Sequence, residues 1–461
     1  MPVLVEPVDK ELILRYGRDL MSSVRVLDII QKLSQLKYIT DNQINKFRRS
    51  RPEHNEELLE SLLDEITLVQ FLEALFKAKY HESALGLAFI YRQKMLMRAS
   101  DTGPGFQQGQ KLYFDTKRSL QENIFKEDPS QQCEKTYQEM KKKYEEYEKM
   151  FEEEENEDTK KEIHGKMKEY AYICTSCLCV ALDAEITRWN TSFYWVEDMV
   201  PKSRLQRLLS ELNGFINKTQ NPLIVQVGLF SRIAIAYAMA GQLAKTEDYI
   251  EKAFASSIYI PKCTEVEFMF HMYIMILLFK YQEDPTELLL KKFLRIVECG
   301  LRNIQDEADE SKRYFWMRMI LLRKVFLLLG LGNKMEVING WVYKEEYVNK
   351  AEELLVEIYQ MGNMEKRREM FFYMAKARIS ELQNSLEFAV YNIRKAIDCD
   401  ELGYYGETAY AREYEEILEN KIEEQQRLML RHTVDGPNSQ ECTIPVYSTC
   451  HSEVTIPKRI E

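Results

Sequence analysis

Cys174, Cys177 and Cys179 come nearest, by type and spacing, to residues that do chemistry in this 461-residue chain. A Cys-x-x-Cys pair is half of a tetrahedral zinc site, which needs a second pair of thiolates or imidazoles. No second pair lies nearby in the sequence, and His164 is the only adjacent imidazole. Met167, Tyr170, Cys174, Cys177, Ala181 and Ala184 follow alternating steps of three and four. That spacing makes the thiols small residues of one buried helix stripe rather than ligands. Thiols used in this way, in a chain with an odd count of nine, suit a reducing cytosol.

The other chemistry-bearing residue types form no recognisable site. Six histidines are spread along the chain, none in a nucleophile, metal or phosphoryl-transfer motif. Gly103-Pro-Gly105 is a turn signal, and it lacks the following Lys-Ser/Thr of a phosphate cradle. The expectation is therefore a protein that is not an enzyme and has no catalytic residue, metal or cofactor. A net charge of −11 argues against a nucleic-acid partner, because phosphate neutralisation needs a basic surface. Met1–Lys10 carries Glu6 and Asp9 and has no apolar core, so no signal peptide is expected. The longest apolar run, Phe268–Phe279, is 12 residues with His271 inside it, too short to span a bilayer. These features predict a cytoplasmic protein without a membrane partner.

The elements that must position any site are helices. Only 17 Gly and 12 Pro, with many Leu, Glu and Lys, favour helix over sheet, and 45% hydrophobic content supports sizeable cores. The organising stretch is 228–261. Ala234 and Tyr237 share one helix face, Gly241 interrupts the pattern, and Ile250, Ala253 and Phe254 share a second face. The spacing predicts two helices joined by a tight turn, with small residues where backbones approach. The stretch resembles a tetratricopeptide repeat, although Thr246 stands where that family usually has Ala and Pro261 falls about three residues late. Ala377, Ser380, Ala389, Ile393 and Ala396 repeat the same steps 143 residues further on, with Ser380 replacing the aromatic. Thr264–Tyr281 with Pro285–Leu301, and Ser311–Gly330 with Lys344–Met361, are predicted as further hairpins, the latter lengthened by a loop over 332–341. Ala409–Leu430 is the charged end helix that such arrays need.

Residues 9–92 predict six short helices. Ile13, Tyr16 and Leu20 share a face, as do Leu27, Ile30 and Leu33. Thr40–Gln43 and Thr67–Gln70 have the spacing of capping boxes, and Leu58, Leu59, Leu62 and Leu63 form a stripe between them. Val26-Leu-Asp-Ile-Ile30, Tyr38-Ile-Thr40, Leu58-Leu59 with Leu62-Leu63, and Phe71-Leu-Glu-Ala-Leu75 resemble a caspase-recruitment domain of the death-fold family. The resemblance implies homotypic pairing with death-fold proteins through oppositely charged faces. Arg15, Arg18, Arg25, Arg48, Arg49 and Arg51 supply one sign, and Glu53, Glu56, Glu57 and Glu60 the other. Two such patches permit head-to-tail self-association. The family often places bases on its fourth helix, whereas the fourth here is acidic.

The predicted organisation is all-α: a death-fold bundle over 1–99, a linker over 100–132, tetratricopeptide-like hairpins over 133–430 and a disordered tail over 431–461. Lys135–Glu162, crowded with like charges, reads as a solvated or mobile turn. Two functions follow from the resemblances. One is a cytosolic signalling adaptor of apoptosis or innate immunity, with the array binding a protein helix or peptide. Its groove would be lined by Ser231, Ile235, Ala238 and Met239 in the first clear repeat and by Phe371, Met374 and Arg378 in the last. The other is an RNA-binding innate-immune effector, since interferon-induced tetratricopeptide proteins use such arrays on RNA ends. Only Arg378 among those seven positions is basic, which favours the protein ligand.

Overall fold

The computed structural model describes residues 10–11, 13–14, 24–49, 55–96, 103–122, 128–187 and 204–434. Among the described residues there are eighteen α-helices, one 3-10 turn at Ile216–Lys218, and a single antiparallel bridge between Leu331 and Val337. The all-α expectation therefore holds.

The first five helices are α1 (Val26–Gln35), α2 (Asp41–Arg49), α3 (Asn55–Leu63), α4 (Leu68–Lys77) and α5 (His81–Leu96), preceded by helical backbone at Lys10, Glu11, Ile13 and Leu14. Both capping boxes form. The Thr67 hydroxyl accepts from the Gln70 N–H at 3.2 Å while the Gln70 side chain accepts from the Thr67 N–H at 2.9 Å. Thr40 and Gln43 make the same exchange at 3.4 and 2.8 Å. Each box satisfies helix-end donors that would otherwise lack intrahelical partners. The buried faces carry Ile29, Ile30, Leu33, Leu58, Leu59, Leu62, Leu63, Phe71, Leu72 and Leu75. Leu27 is exposed, and Ile29 takes its expected place in the core.

Two corrections concern the middle of the chain. The expected linker contains α6 (Pro104–Glu122), a 19-residue helix with Tyr113, Phe114, Lys117, Leu120 and Gln121 buried. Gly103-Pro-Gly105, a turn signal by sequence, starts the helix instead, since proline is tolerated at a helix start. Gly105 and Gly109 instead let α6 approach its neighbour. A Cβ on Gly105 would lie 2.6 Å from Glu169 Cα, and one on Gly109 would lie 2.7 Å from the Tyr172 ring. The charge-dense run is likewise a helical hairpin, α7 (Pro129–Glu153) and α8 (Glu157–Thr187). Cys133, Tyr137, Met140, Tyr144, Tyr147 and Phe151 recur at steps of four and three along its inner side, and the charges take the other faces. Asn156 Oδ1 accepts from the N–H groups of Asp158 and Thr159 and starts α8 after the turn.

The remaining helices are α9 (Arg204–Phe215), α10 (Pro222–Met239), α11 (Leu243–Ser257), α12 (Thr264–Glu283), α13 (Glu287–Ile304), α14 (Glu310–Leu328), α15 (Glu345–Gln360), α16 (Lys366–Leu382), α17 (Leu386–Asp398) and α18 (Glu407–Val434). The expected hairpins form as α10/α11, α12/α13, α14/α15 and α16/α17. At the first turn Gly241 has φ +73°, and the Gln242 N–H donates to Tyr237 O at 2.9 Å. At the last, 143 residues on, Asn384 has φ +58° and the Ser385 N–H donates to Ser380 O at 2.8 Å. Gly and Asn are the residues that reach this left-handed conformation most easily. α10 is long and apolar enough to cross a membrane, but it lies packed among α8, α11 and α12. The helical chain continues to Val434, inside the expected tail, and residues 435–461 lie outside the described residues.

Replacing Gly105 by Ala forces a methyl against the α8 backbone. The expected cost is about 1–3 kcal/mol of stability, read as a lowered thermal midpoint. Gly165, also on α8, has nothing within 4 Å of its built Cβ. Gly165→Ala should leave stability unchanged or raise it by about 1 kcal/mol.

Candidate functional site

Helix α6 carries Gln110, Tyr113, Lys117 and Gln121, polar groups three or four residues apart and therefore on one face. That face looks into the array. Gln110 donates to Glu265 at 2.7 Å and accepts from the Thr264 N–H at 2.8 Å, which fixes the start of α12. Tyr113 donates to Asp183 on α8 at 2.6 Å, and Lys117 reaches the same oxygen at 2.5 Å. The second Asp183 oxygen accepts from Arg232 Nε on α10 at 2.8 Å. Arg232 and Lys117 both sit over the Phe268 ring of α12, at 4.1 and 4.6 Å from its centroid. One carboxylate thus joins α6, α8 and α10 and faces α12. Burial pushes the Asp183 carboxyl upward, but Arg232 and Lys117 outweigh it and hold it below the usual carboxylate range.

Beyond Lys117 lies a small cavity of about 20 Å³, enough for a single water-sized group. Its wall includes His271 of α12, Arg323 of α14, and Arg367 and Arg368 of α16, with Met272, Met275 and Met319. Arg367 is paired with Glu407, and Arg368 donates through Nη2 to Gln121 of α6. Arg323 donates to Asn333 O at 3.2 Å, within the inserted loop, and its guanidinium lies 4.7 Å from the Phe371 ring. Arg368 lies over the same ring at 4.9 Å. Burial lowers Lys117 to about 8 and Arg323 to about 10, and it holds Arg368 well below the ordinary arginine range. His271 is held well below its ordinary value by burial and then by the surrounding Arg323, Arg368, Lys117 and Arg367, so it is neutral.

The structure places the expected groove residues elsewhere. Ser231, Ile235, Ala238, Phe371, Met374 and Arg378 are buried, and Met239 is half-buried. Arg378, with Glu381, Leu382 and Lys421, lines an open pocket between α16 and α18, and none of the other six belongs to that lining. Helix α10 is enclosed by α8, α11 and α12, and Phe371 lies beneath Arg323 and Arg368. The Ser231 hydroxyl is taken by Val227 O, and Arg378 by Glu381 and Leu329 O. Of the expected charge patches, Arg25 and Glu60 are exposed. Arg48 and Arg49 fall in α2 and Glu56 and Glu57 in α3, whereas Arg15, Arg18, Arg51 and Glu53 lie outside the described residues. Cys174 and Cys177 are buried free thiols of α8, as their spacing predicted, and Cys179, off that stripe, is buried too.

The core cations escaped the sequence reading, although a signal for them exists. Arg232 interrupts an otherwise apolar stretch, and Arg323 with Lys324 divides the apolar run 319–329, so that a cation has to find a buried partner. A second feature that escaped it is an aromatic row on the last hairpins, exposed at Tyr359, Phe388 and Tyr391 and buried at Phe372. Tyr359 of α15 stacks on Phe372 of α16 at 6.3 Å, and Phe372 meets Tyr373 at 5.7 Å. Lys395 of α17 then bridges Tyr373 at 5.4 Å and Tyr391 at 4.8 Å. Tyr359 and Phe388 are each 68% exposed and Tyr391 is 54% exposed.

Glu267, next to Phe268 on α12, is fully buried, and neither of its carboxylate oxygens has a hydrogen-bond partner. Burial raises its carboxyl to about 7 against the pull of Lys312 and Lys262, with Glu307 and Glu265 adding to the rise. The folded chain then holds a proton that the unfolded chain releases between pH 4.5 and about 7, so stability falls as pH rises through that window. Glu267→Gln removes the effect, and Lys312 keeps Glu307 at 3.0 Å. The variant should match the wild type at pH 5 and exceed it at pH 8 by on the order of 2 kcal/mol. Thermal midpoints at the two pH values measure this, and a difference independent of pH would contradict it.

No family model, no curated protein and no solved structure matches this chain, so the reading of these two sites rests on their own geometry.

Proposed function

We propose that the protein is a non-catalytic helical adaptor. In this reading the N-terminal helices are a death-fold-type assembly module, the hairpins from α7 onward are a tetratricopeptide-like array, and the array holds a protein segment. The observation that carries the proposal is the exposed strip of Tyr359, Phe388 and Tyr391 with Lys395. Phe388 and Tyr391 are neighbours one turn apart on α17, and aromatic residues dominate the energetics of protein contacts. A helix or extended segment with apolar side chains and an acidic residue for Lys395 fits that surface.

The bundle and the array are also coupled. Arg92 of α5 is buried and donates to Asn303 Oδ1 at 3.1 Å and to Ser257 O at 3.1 Å, neutral groups on the array. Lys79 pairs with Glu251 at 2.9 Å, and Glu82 faces Arg295 at 3.5 Å. This contact supports an adaptor in which occupancy of the array reaches the assembly module.

The test is quantitative affinity purification of the full chain against the double variant Phe388→Asp, Tyr391→Asp. Both positions are exposed, so the variant should keep its helical circular dichroism. A defined partner set should fall by about tenfold or more in the variant. An unchanged partner set would overturn the proposal.

A further inference from the structure

The core around His271 holds more positive charge than its acids balance. Lys117, Arg323, Arg367 and Arg368 meet there; Lys117 shares Asp183 with Arg232, and Arg367 is bonded to Glu407. The nearby Glu365 is engaged by Arg318 at 3.2 Å; Glu407 and Glu336 attract Arg323, and Glu365 and Glu407 attract Arg368, but burial and the neighbouring arginines outweigh that pull. Asp183 serves both Lys117 and Arg232, and Glu407 serves Arg367. Arg323 and Arg368 are left with neutral acceptors, a backbone carbonyl and an amide oxygen. Arg323 Nε, Arg368 Nε, Arg368 Nη1 and both ring nitrogens of His271 have no partner, although these side chains are at most 4% exposed.

A buried cation without a counter-charge is among the costliest arrangements in a protein interior. A water molecule would satisfy donors but would leave the charge. An anion does both, and a planar guanidinium fork matches the oxygens of a tetrahedral oxyanion. We propose that this cavity binds a small inorganic oxyanion of phosphate size, held by Arg323 and Arg368 with His271 donating through one ring N–H. The same wall contributes Met272, Met275 and Met319, unbranched side chains that adjust to a group larger than the resting space. The site is distinct from the aromatic strip and goes beyond the adaptor reading. Gln121 of α6 holds Arg368, so the same anion would tighten α6 against α14 and α16.

Equilibrium dialysis of the full chain with radiolabelled inorganic phosphate, in gluconate buffer of fixed ionic strength, tests this. The wild type should bind one equivalent. Arg368→Met and Arg323→Met should each weaken binding about tenfold or more, and Arg368→Lys should weaken it less. The two Met variants should melt no lower than the wild type without phosphate, since each removes a poorly compensated buried charge. If a Met variant fails to fold, the wild type alone decides. Its thermal midpoint should rise with phosphate and stay unmoved by gluconate. Competition by sulfate but not by phosphoserine identifies a free ion as the ligand, and competition by phosphoserine as well identifies a phosphoryl end group. Both outcomes uphold the oxyanion site. No bound phosphate in the wild type, or binding that ignores both Met substitutions, would overturn it.

Discussion

The arrangement of the array depends on one buried carboxylate. Asp183 accepts from Lys117 and Tyr113 on α6 and from Arg232 on α10, all inside a protein interior. Any one of these cations, buried alone, would cost several kcal/mol, and any helix pulled away would strand a charge. The consequence is positional. The face of α6 is fixed because only one rotation brings Tyr113 and Lys117 to Asp183, and that rotation also sets Gln110 on the start of α12 and Gln121 on Arg368. A helix expected to be connective thereby becomes the element that α8, α10, α12, α14 and α16 all touch.

That placement accounts for what the array can and cannot do. Tetratricopeptide-type hairpins usually suggest a hollow inner face for a ligand. Here most of the positions expected to line it are buried between neighbouring helices, and the interior is taken up by α6 and by the cations that line a small cavity. The proposed recognition of a protein segment therefore falls on the outer surface of the C-terminal hairpins, and the proposed oxyanion site falls in the core. The two sites meet the same helix, since Phe372 of the strip and Arg368 of the cavity wall both belong to α16.

Much of the fold was legible because it rests on local signals. The capping boxes at Thr40 and Thr67, the turn at Gly241 and the stripe through Cys174 and Cys177 each state their geometry within a few residues. The echo at Ala377–Ala396 was legible by spacing, and its turn uses Asn384 where the first copy uses Gly241. The misreadings share a cause. Gly105 signals a turn locally, but it serves close packing against a helix distant in sequence, as Gly109 does. The run after Lys135 looked too charged to fold because its apolar stripe is built of tyrosines, whose polar tips obscure their apolar bodies. Of the sites, nothing local marks Arg323, Arg368 and His271 as neighbours. Three separate hairpins bring them together.

The central claim is that α6 is a core helix anchored at Asp183. Hydrogen exchange of residues 104–122 in the full chain, wild type against Asp183→Asn, measures it directly. The account predicts that these amides are among the slowest to exchange in the wild type. In the variant they should accelerate by at least about a hundredfold, because two buried cations lose their carboxylate, while the amides of α1–α4 keep their rates. Fast exchange of 104–122 in the wild type, at the rate of an unfolded connector, would contradict it.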